Sequence, residues 1–173
     1  MIFINIGSNL NSPIGNRFDN INKAIEYLKI DQIKVLKKSS FYESPSYPNN
    51  KFPKFINICL KVSFNHNIRL FLKKILVVEK KLFRLKGDKN SPRTCDIDII
   101  DYNGLIMKSK KITVPHPRAH IRNFVLFPLK EISPLWSHPK CKLKVEILIK
   151  KLTLKSRNEI TRVKENDILK NDQ

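Results

Sequence analysis

Cysteine is scarce in this 173-residue chain: three residues, at 59, 95 and 141, with no CxxC pair. An odd, sparse set excludes a disulfide framework and a cysteine zinc site, and it points to a reducing, cytoplasmic setting. Glycine is also rare, at four. Neither a Walker A phosphate loop nor a Rossmann fingerprint is present. Long apolar runs are missing: none approaches the roughly 18–20 residues of a membrane span, so no membrane association is expected. The opening MIFINIGSNL has no basic n-region and no cleavage site, and a signal peptide is not expected.

Acidic residues are few, 15 against 34 Lys and Arg, for a net charge of +19. A balance this basic first suggests nucleic acid. The excess is mostly Lys, spread along the chain and accompanied by abundant Ile and Asn. That joint bias matches AT-rich codon pressure better than a binding stripe. A basic RNA-binding module therefore stands as the alternative reading, not the leading one.

The 41% of hydrophobic residues suffices for one sizeable core. The reading is a single domain over residues 1–173, with a polar tail from about 157 and its last ten residues frayed. Residues 2–6 form a buried strand. A helix follows with Phe18, Ile21, Ala24, Ile25 and Leu28 at helical spacing, Ser12 as its N-cap and Pro13 in its first turn. Ile33 to Tyr42 reads as one strand, and 43–54 as a proline-rich loop. Phe55 to Phe64 alternates: Ile56, Ile58, Leu60, Val62 and Phe64 share one face, and Phe55, Asn57 and Cys59 share the other. A helix is expected from Asn67 to Lys86, with Ile68, Leu72, Ile75, Leu76, Leu82 and Phe83 as its stripe. Strands over 94–102 and 112–114 follow, then helices over 118–130 and 143–152. The order βαββαβ is the ferredoxin-like pattern of an α+β fold: an antiparallel sheet with helices on one face, plus C-terminal helical elements.

Three features are not explained by folding. Glu79 falls inside the apolar stripe of its helix, where a carboxylate is costly without a partner. Asp96 and Asp98 alternate on one strand, so both carboxylates face one side while Ile97 and Ile99 face the core. Two such carboxylates suit Mg²⁺ completed by substrate phosphates, although a bare DxD is a weak motif. Around this strand Arg84, Lys86, Arg93, His116, Arg118 and Arg122 fall at element ends or in loops. Together they look like a phosphate clamp, against a background of ordinary surface charge. His116 and His120 have helical metal spacing, but Pro115 and Pro117 argue against a helix there and no third ligand is apparent.

The ordered set of motifs resembles the 6-hydroxymethyl-7,8-dihydropterin pyrophosphokinases of folate biosynthesis. It comprises Gly7-Ser8-Asn9-Leu10, Ser39-Ser40-Phe41-Tyr42-Glu43-Ser44-Pro45, Phe55-Ile56-Asn57, Glu79, Pro92-Arg93-Thr94-Cys95-Asp96-Ile97-Asp98-Ile99, Val114-Pro115-His116-Pro117-Arg118 and Arg122-x-Phe124-x-Leu126-x-Pro128-Leu129. The resemblance implies pyrophosphate transfer from ATP to the pterin hydroxymethyl group, with AMP released. It implies two Mg²⁺ ions on Asp96 and Asp98, with Arg84 and Arg93 joining them as catalytic residues. Glu79, Lys86, Arg93, His116 and Arg122 would serve the ATP phosphates or nucleotide site, and Ile99, Lys111 and Thr113 the adenine. Ser44, Pro45, Phe55, Asn57, Asp96 and Phe124 would form the pterin pocket. ATP and the pterin would be the only partners of a monomer. Two departures stand out: Lys86 stands where the family often has Arg, and Asn90 or Ser91 stands where a Trp is usual. Both bear on how loops 43–54 and 84–92 would close as lids, and slower or less tightly gated turnover is expected.

Overall fold

The computed structural model describes residues 1–84 and 91–165. Six strands form one antiparallel sheet: β1 (Ile2–Ser8), β2 (Lys34–Lys38), β3 (Phe41–Ser44), β4 (Phe55–Ser63), β5 (Asp96–Tyr102) and, last in chain order, a strand over Thr161–Val163. Between them lie helices α1 (Arg17–Ile30) and α2 (Ile68–Lys81), then a small ribbon of β6 (Met107–Lys108) and β7 (Thr113–Val114). A 3₁₀ turn (Ala119–Ile121) leads into α3 (Asn123–Ile132), α4 (Val145–Lys151) and the short α5 (Leu154–Asn158), after which Thr161–Val163 becomes β8. The spatial order is β5-β1-β4-β3-β8, with β2 also paired to β4.

The alternation of β4 divides the molecule. Ile56, Ile58, Leu60 and Val62 join Ile2, Ile4 and Ile6 of β1 in a core closed by α1 and α2. Cys59 of β4, Phe3 of β1 and Ile100 of β5 face the other way, into a second core with Val125, Leu126, Leu129, Trp136 and Leu148. Helices thus cover both faces, not one. α3 is mostly apolar and needs a second surface on which to bury Val125, Leu126 and Leu129.

Several element boundaries differ from the sequence reading. The strand expected over 33–42 splits into β2 and β3, with Ser39 between them accepting the Cys59 amide at its hydroxyl, 2.9 Å away. Asn16, not Ser12, caps α1: its side chain accepts from the Phe18 and Asp19 amides, and Asp19 accepts from the Asn16 amide. Pro13 consequently lies before the helix. α2 ends at Lys81 rather than Lys86, and its buried positions are Ile68, Phe71, Ile75, Val78 and Glu79. Leu76 and Phe83, expected in its stripe, are about half exposed. The polar tail contributes a strand: β8 pairs with β3 through Phe41↔Val163, Tyr42↔Arg162 and Glu43↔Thr161. The remaining expected tail, 166–173, lies outside the described residues.

Candidate active site

Register builds the site. Gly7 of β1 stands opposite Asn57 on one side and Asp96 on the other, and Asn5 stands opposite Asp98. Cross-strand partners face the same side of a sheet. Asp96, Asp98, Asn5 and Asn57 therefore all emerge on the face that carries the second core, beyond its end. Phe55 joins them from the start of β4, opposite Ser44. At Phe3–Ile4 the β1–β5 register slips by one residue. Ile100 then enters the second core, and Asp101 reaches the Trp136 indole, 2.8 Å from its Nε1.

These residues line a cavity of about 700 Å³. Ser44, Pro45, Phe55, Asn57 and Phe124 form one part of its wall. Arg93, Asp96, Asp98, Arg118 and Arg122 form another. The sequence-selected pterin residues and the carboxylate pair thus share one space. Asn57 donates to the Ser44 hydroxyl at 3.0 Å, which leaves its amide oxygen directed over Gly7. Phe124 is fixed by a sequence-encoded gap. Pro128 lacks the N–H that would reach the Phe124 carbonyl across one helical turn. Asn5 supplies a donor instead, giving its amide to the Ile58 and Phe124 carbonyls at 2.9 and 3.2 Å.

The carboxylates are held by cations. Asp96 pairs with Arg84 at 2.9 Å and Arg93 at 3.2 Å; Asp98 pairs with Arg122 at 3.3 Å and lies 3.8 Å from His116 Nε2. Burial and the neighbouring Asp98 raise the Asp96 pKa, against the pull of Arg84, Arg93 and Arg122. His116 is pushed down to about 4 by burial and by the nearby Arg122 and Arg118. It is therefore neutral at physiological pH. Its Nδ1 accepts the Arg118 amide at 3.2 Å, so the proton sits on Nε2, facing Asp98. Arg122 also lies over the Phe124 ring, and Arg93 over Phe55, at 5.2 and 5.9 Å from the centroids.

Glu79 lies behind the cavity, not on it. It is 5% exposed, pairs with Arg84, and accepts the Ile97 amide at 2.8 Å. Ile99 packs in the first core, Thr113 pairs with Lys108 on the ribbon, and Lys111 is exposed. The structure does not bring these three to the cavity. Lys86, the Asn90 position and most of loop 84–92 lie outside the described residues.

Two contributions escaped the sequence reading. Asn9 of the GSNL segment is a junction: its Nδ2 donates to the Ser46 hydroxyl and the Pro53 carbonyl, and its Oδ1 accepts the Arg93 amide at 2.7 Å. It locks the 45–54 loop to the arginine loop. Only its presence next to a strand end hinted at this. Thr153, Lys155, Ser156 and Glu159 also line the cavity, and no pattern in their sequence signals it.

The family model for 7,8-dihydro-6-hydroxymethylpterin-pyrophosphokinase matches residues 3–134. This chain belongs to that family. A pyrophosphokinase of Aquifex aeolicus, named for 2-amino-4-hydroxy-6-hydroxymethyldihydropteridine, is 36% identical over 80% of this chain and 83% of that protein. The Synechocystis protein of the same name is 35% identical, over 76% of this chain and 67% of its own length. The folic acid synthesis protein fol1 of Pneumocystis carinii is 39% identical over 87% of this chain, which spans 20% of that protein's length. A solved HPPK-DHPS structure in complex with substrates shares the fold, with a TM-score of 0.60 at 13% identity over 85% of this chain and 42% of that one. A Plasmodium falciparum HPPK-DHPS structure matches with the same TM-score and identity, over 87% of this chain and 41% of that one. Among the described residues no helix is long and apolar enough to cross a membrane.

Proposed function

We propose that this pyrophosphokinase-family chain transfers diphosphate from ATP to the hydroxymethyl group of 6-hydroxymethyl-7,8-dihydropterin and releases AMP, in folate synthesis. One observation carries the reading: a carboxylate pair ringed by arginines shares a cavity with two aromatic rings and a side-chain amide. Phe55 and Phe124 offer faces to a flat heterocycle, and Asn57 offers an amide to its hydrogen-bonding edge.

Asp96 and Asp98 fit Mg²⁺ by donor type. They are two part-exposed carboxylates on one strand face and, among the described residues, belong to no group of three or more metal-ligating side chains, so they suit ions completed by phosphate oxygens. Two such ions would be held there. When bound, Mg²⁺ neutralises phosphate charge and acidifies a coordinated hydroxyl.

The chain's own residues do the positioning. Arg84, Arg93 and Arg122 neutralise the carboxylates, and their guanidinium groups suit phosphate oxygens equally well. Neutral His116 offers its Nε2–H as a donor without adding charge. Glu79 keeps Arg84 aimed at Asp96. Lys86 would add a further cation to the phosphates, while Ile99, Lys111 and Thr113 would flank the adenine. With the aromatic pair holding the alcohol in place, most of the rate enhancement is orientation and electrostatics. The enzyme acts as a cytoplasmic monomer, with small molecules as its partners. The alternative RNA-binding reading gains nothing from the family match, and a carboxylate pair at the site would repel a phosphate backbone.

The test is AMP release from Mg·ATP with and without the pterin, beside Asp98→Ala. Pterin-dependent AMP in the parent and its loss in the variant are expected. AMP formation independent of pterin, or none at all, would refute the proposal.

A further inference from the structure

The segment from Thr153 to Val163 lies beyond the family-matched residues 3–134, yet it is tied into the site at three places. Its strand, β8, extends the sheet beside β3, the strand whose end carries Ser44 of the cavity wall. Arg162 lies 3.8 Å from Glu131, which also receives the Tyr42 hydroxyl at 2.9 Å. Asn123, between Arg122 and Phe124, donates to the Ser156 carbonyl at 2.6 Å. The Ser156 amide in turn donates to the Thr153 hydroxyl at 3.1 Å. Ser156 is thus gripped entirely by its backbone, and it lines the cavity together with Thr153, Lys155 and Glu159. Asn123, to which Ser156 is tied, lines the same cavity and directly precedes Phe124 in the chain.

We infer that the Thr153–Glu159 segment is an outer wall of the pterin pocket and that Ser156 sets how much room the heterocycle has there. A small residue at 156 keeps the pocket open, while its backbone tether to Asn123 fixes the wall relative to Phe124. Ser156 acts by shape and takes no part in phosphate binding. The inference rests on the pyrophosphokinase reading of the same site.

The experiment measures kcat and both KM values for the parent, Ser156→Ala and Ser156→Phe, with melting temperatures alongside. Pterin-dependent AMP release by the parent is the control for the underlying reading; its absence overturns that reading and this one together. With an active parent, Ser156→Phe is expected to raise the pterin KM about tenfold or more and leave the ATP KM within about twofold, a loss confined to one substrate. Ser156→Ala, which removes only the hydroxyl, is expected to raise the pterin KM far less than Ser156→Phe does. A pterin KM for Ser156→Phe within about twofold of the parent, or equal rises in both KM values, would overturn the inference while the activity stood. If Ser156→Phe does not fold, Lys155→Trp decides by the same criterion, because Lys155 lines the cavity from an exposed helical position.

Discussion

The Glu79 carboxylate accepts the backbone N–H of Ile97 at 2.8 Å, the residue between the two site aspartates. A side chain on α2 thereby fixes the strand that aims Asp96 and Asp98, and the same carboxylate pairs with Arg84, which reaches Asp96. This accounts for a charged residue on an apolar helix face: it is paired, and its partners belong to the site.

That position makes stability pH-dependent. Burial pushes Glu79 from the usual 4.5 up to about 7, against the pull of Arg84 and the Ile97 amide. A raised folded value means the native state keeps a proton that the unfolded chain has already released. The stabilisation is full below about pH 4.5 and is lost as pH rises through about 7. Urea titrations of wild type and Glu79→Gln across pH 5–8 should show the wild type losing ground steadily, by on the order of 2–3 kcal/mol in all. A difference independent of pH would mean that Glu79 stays ionised throughout.

Asp101 has a different task. It is 6% exposed and receives the Gly104 amide and the Trp136 indole N–H, each at 2.8 Å. Asp101→Ala leaves the buried Trp136 indole N–H without its acceptor and releases the Gly104 amide of the exposed turn. A loss of about 1–3 kcal/mol is expected. A double-mutant cycle with Trp136→Phe isolates the pair; a coupling energy near zero would show that the indole finds another acceptor.

Much of this was legible in the sequence, for physical reasons. The two-residue period of β4 places Phe55 and Asn57 opposite Ile56 and Ile58, and the same period sets Asp96 and Asp98 together. What escaped depends on register and on long-range backbone contacts. Nothing local says that Gly7 lies between Asn57 and Asp96, or that Asn5 supplies the donor Pro128 withholds from Phe124. The helix end at Lys81 was also hidden, because the apolar spacing continues through Leu82 to Phe83, where the chain has already turned to a positive φ of 60°. The tail's strand carries only Thr161, Arg162 and Val163 as a signal, too short for a period to show.

Arg122 makes two contacts that a lysine cannot reproduce together: the 3.3 Å pair with Asp98 and the stack over Phe124. Arg122→Lys keeps the charge but loses the planar fork. Steady-state kinetics should show kcat/KM for ATP lowered on the order of tenfold, equivalent to about 1.4 kcal/mol. An unchanged value would show that charge alone is needed at this position.

Gly7 is required by close approach rather than by an unusual backbone angle. A Cβ built there would lie 3.0 Å from Asn57 Oδ1 and 3.3 Å from Phe55 Cδ1. Both neighbours belong to the wall assigned to the pterin, and both would have to give by a few tenths of an ångström. The strand itself would tolerate alanine, which lacks glycine's entropic penalty. Gly7→Ala should therefore leave the melting temperature close to that of the wild type while raising the pterin KM about tenfold, with the ATP KM within about twofold. An unchanged pterin KM would show that Phe55 and Asn57 can retreat without consequence, and that the ring is held elsewhere in the cavity.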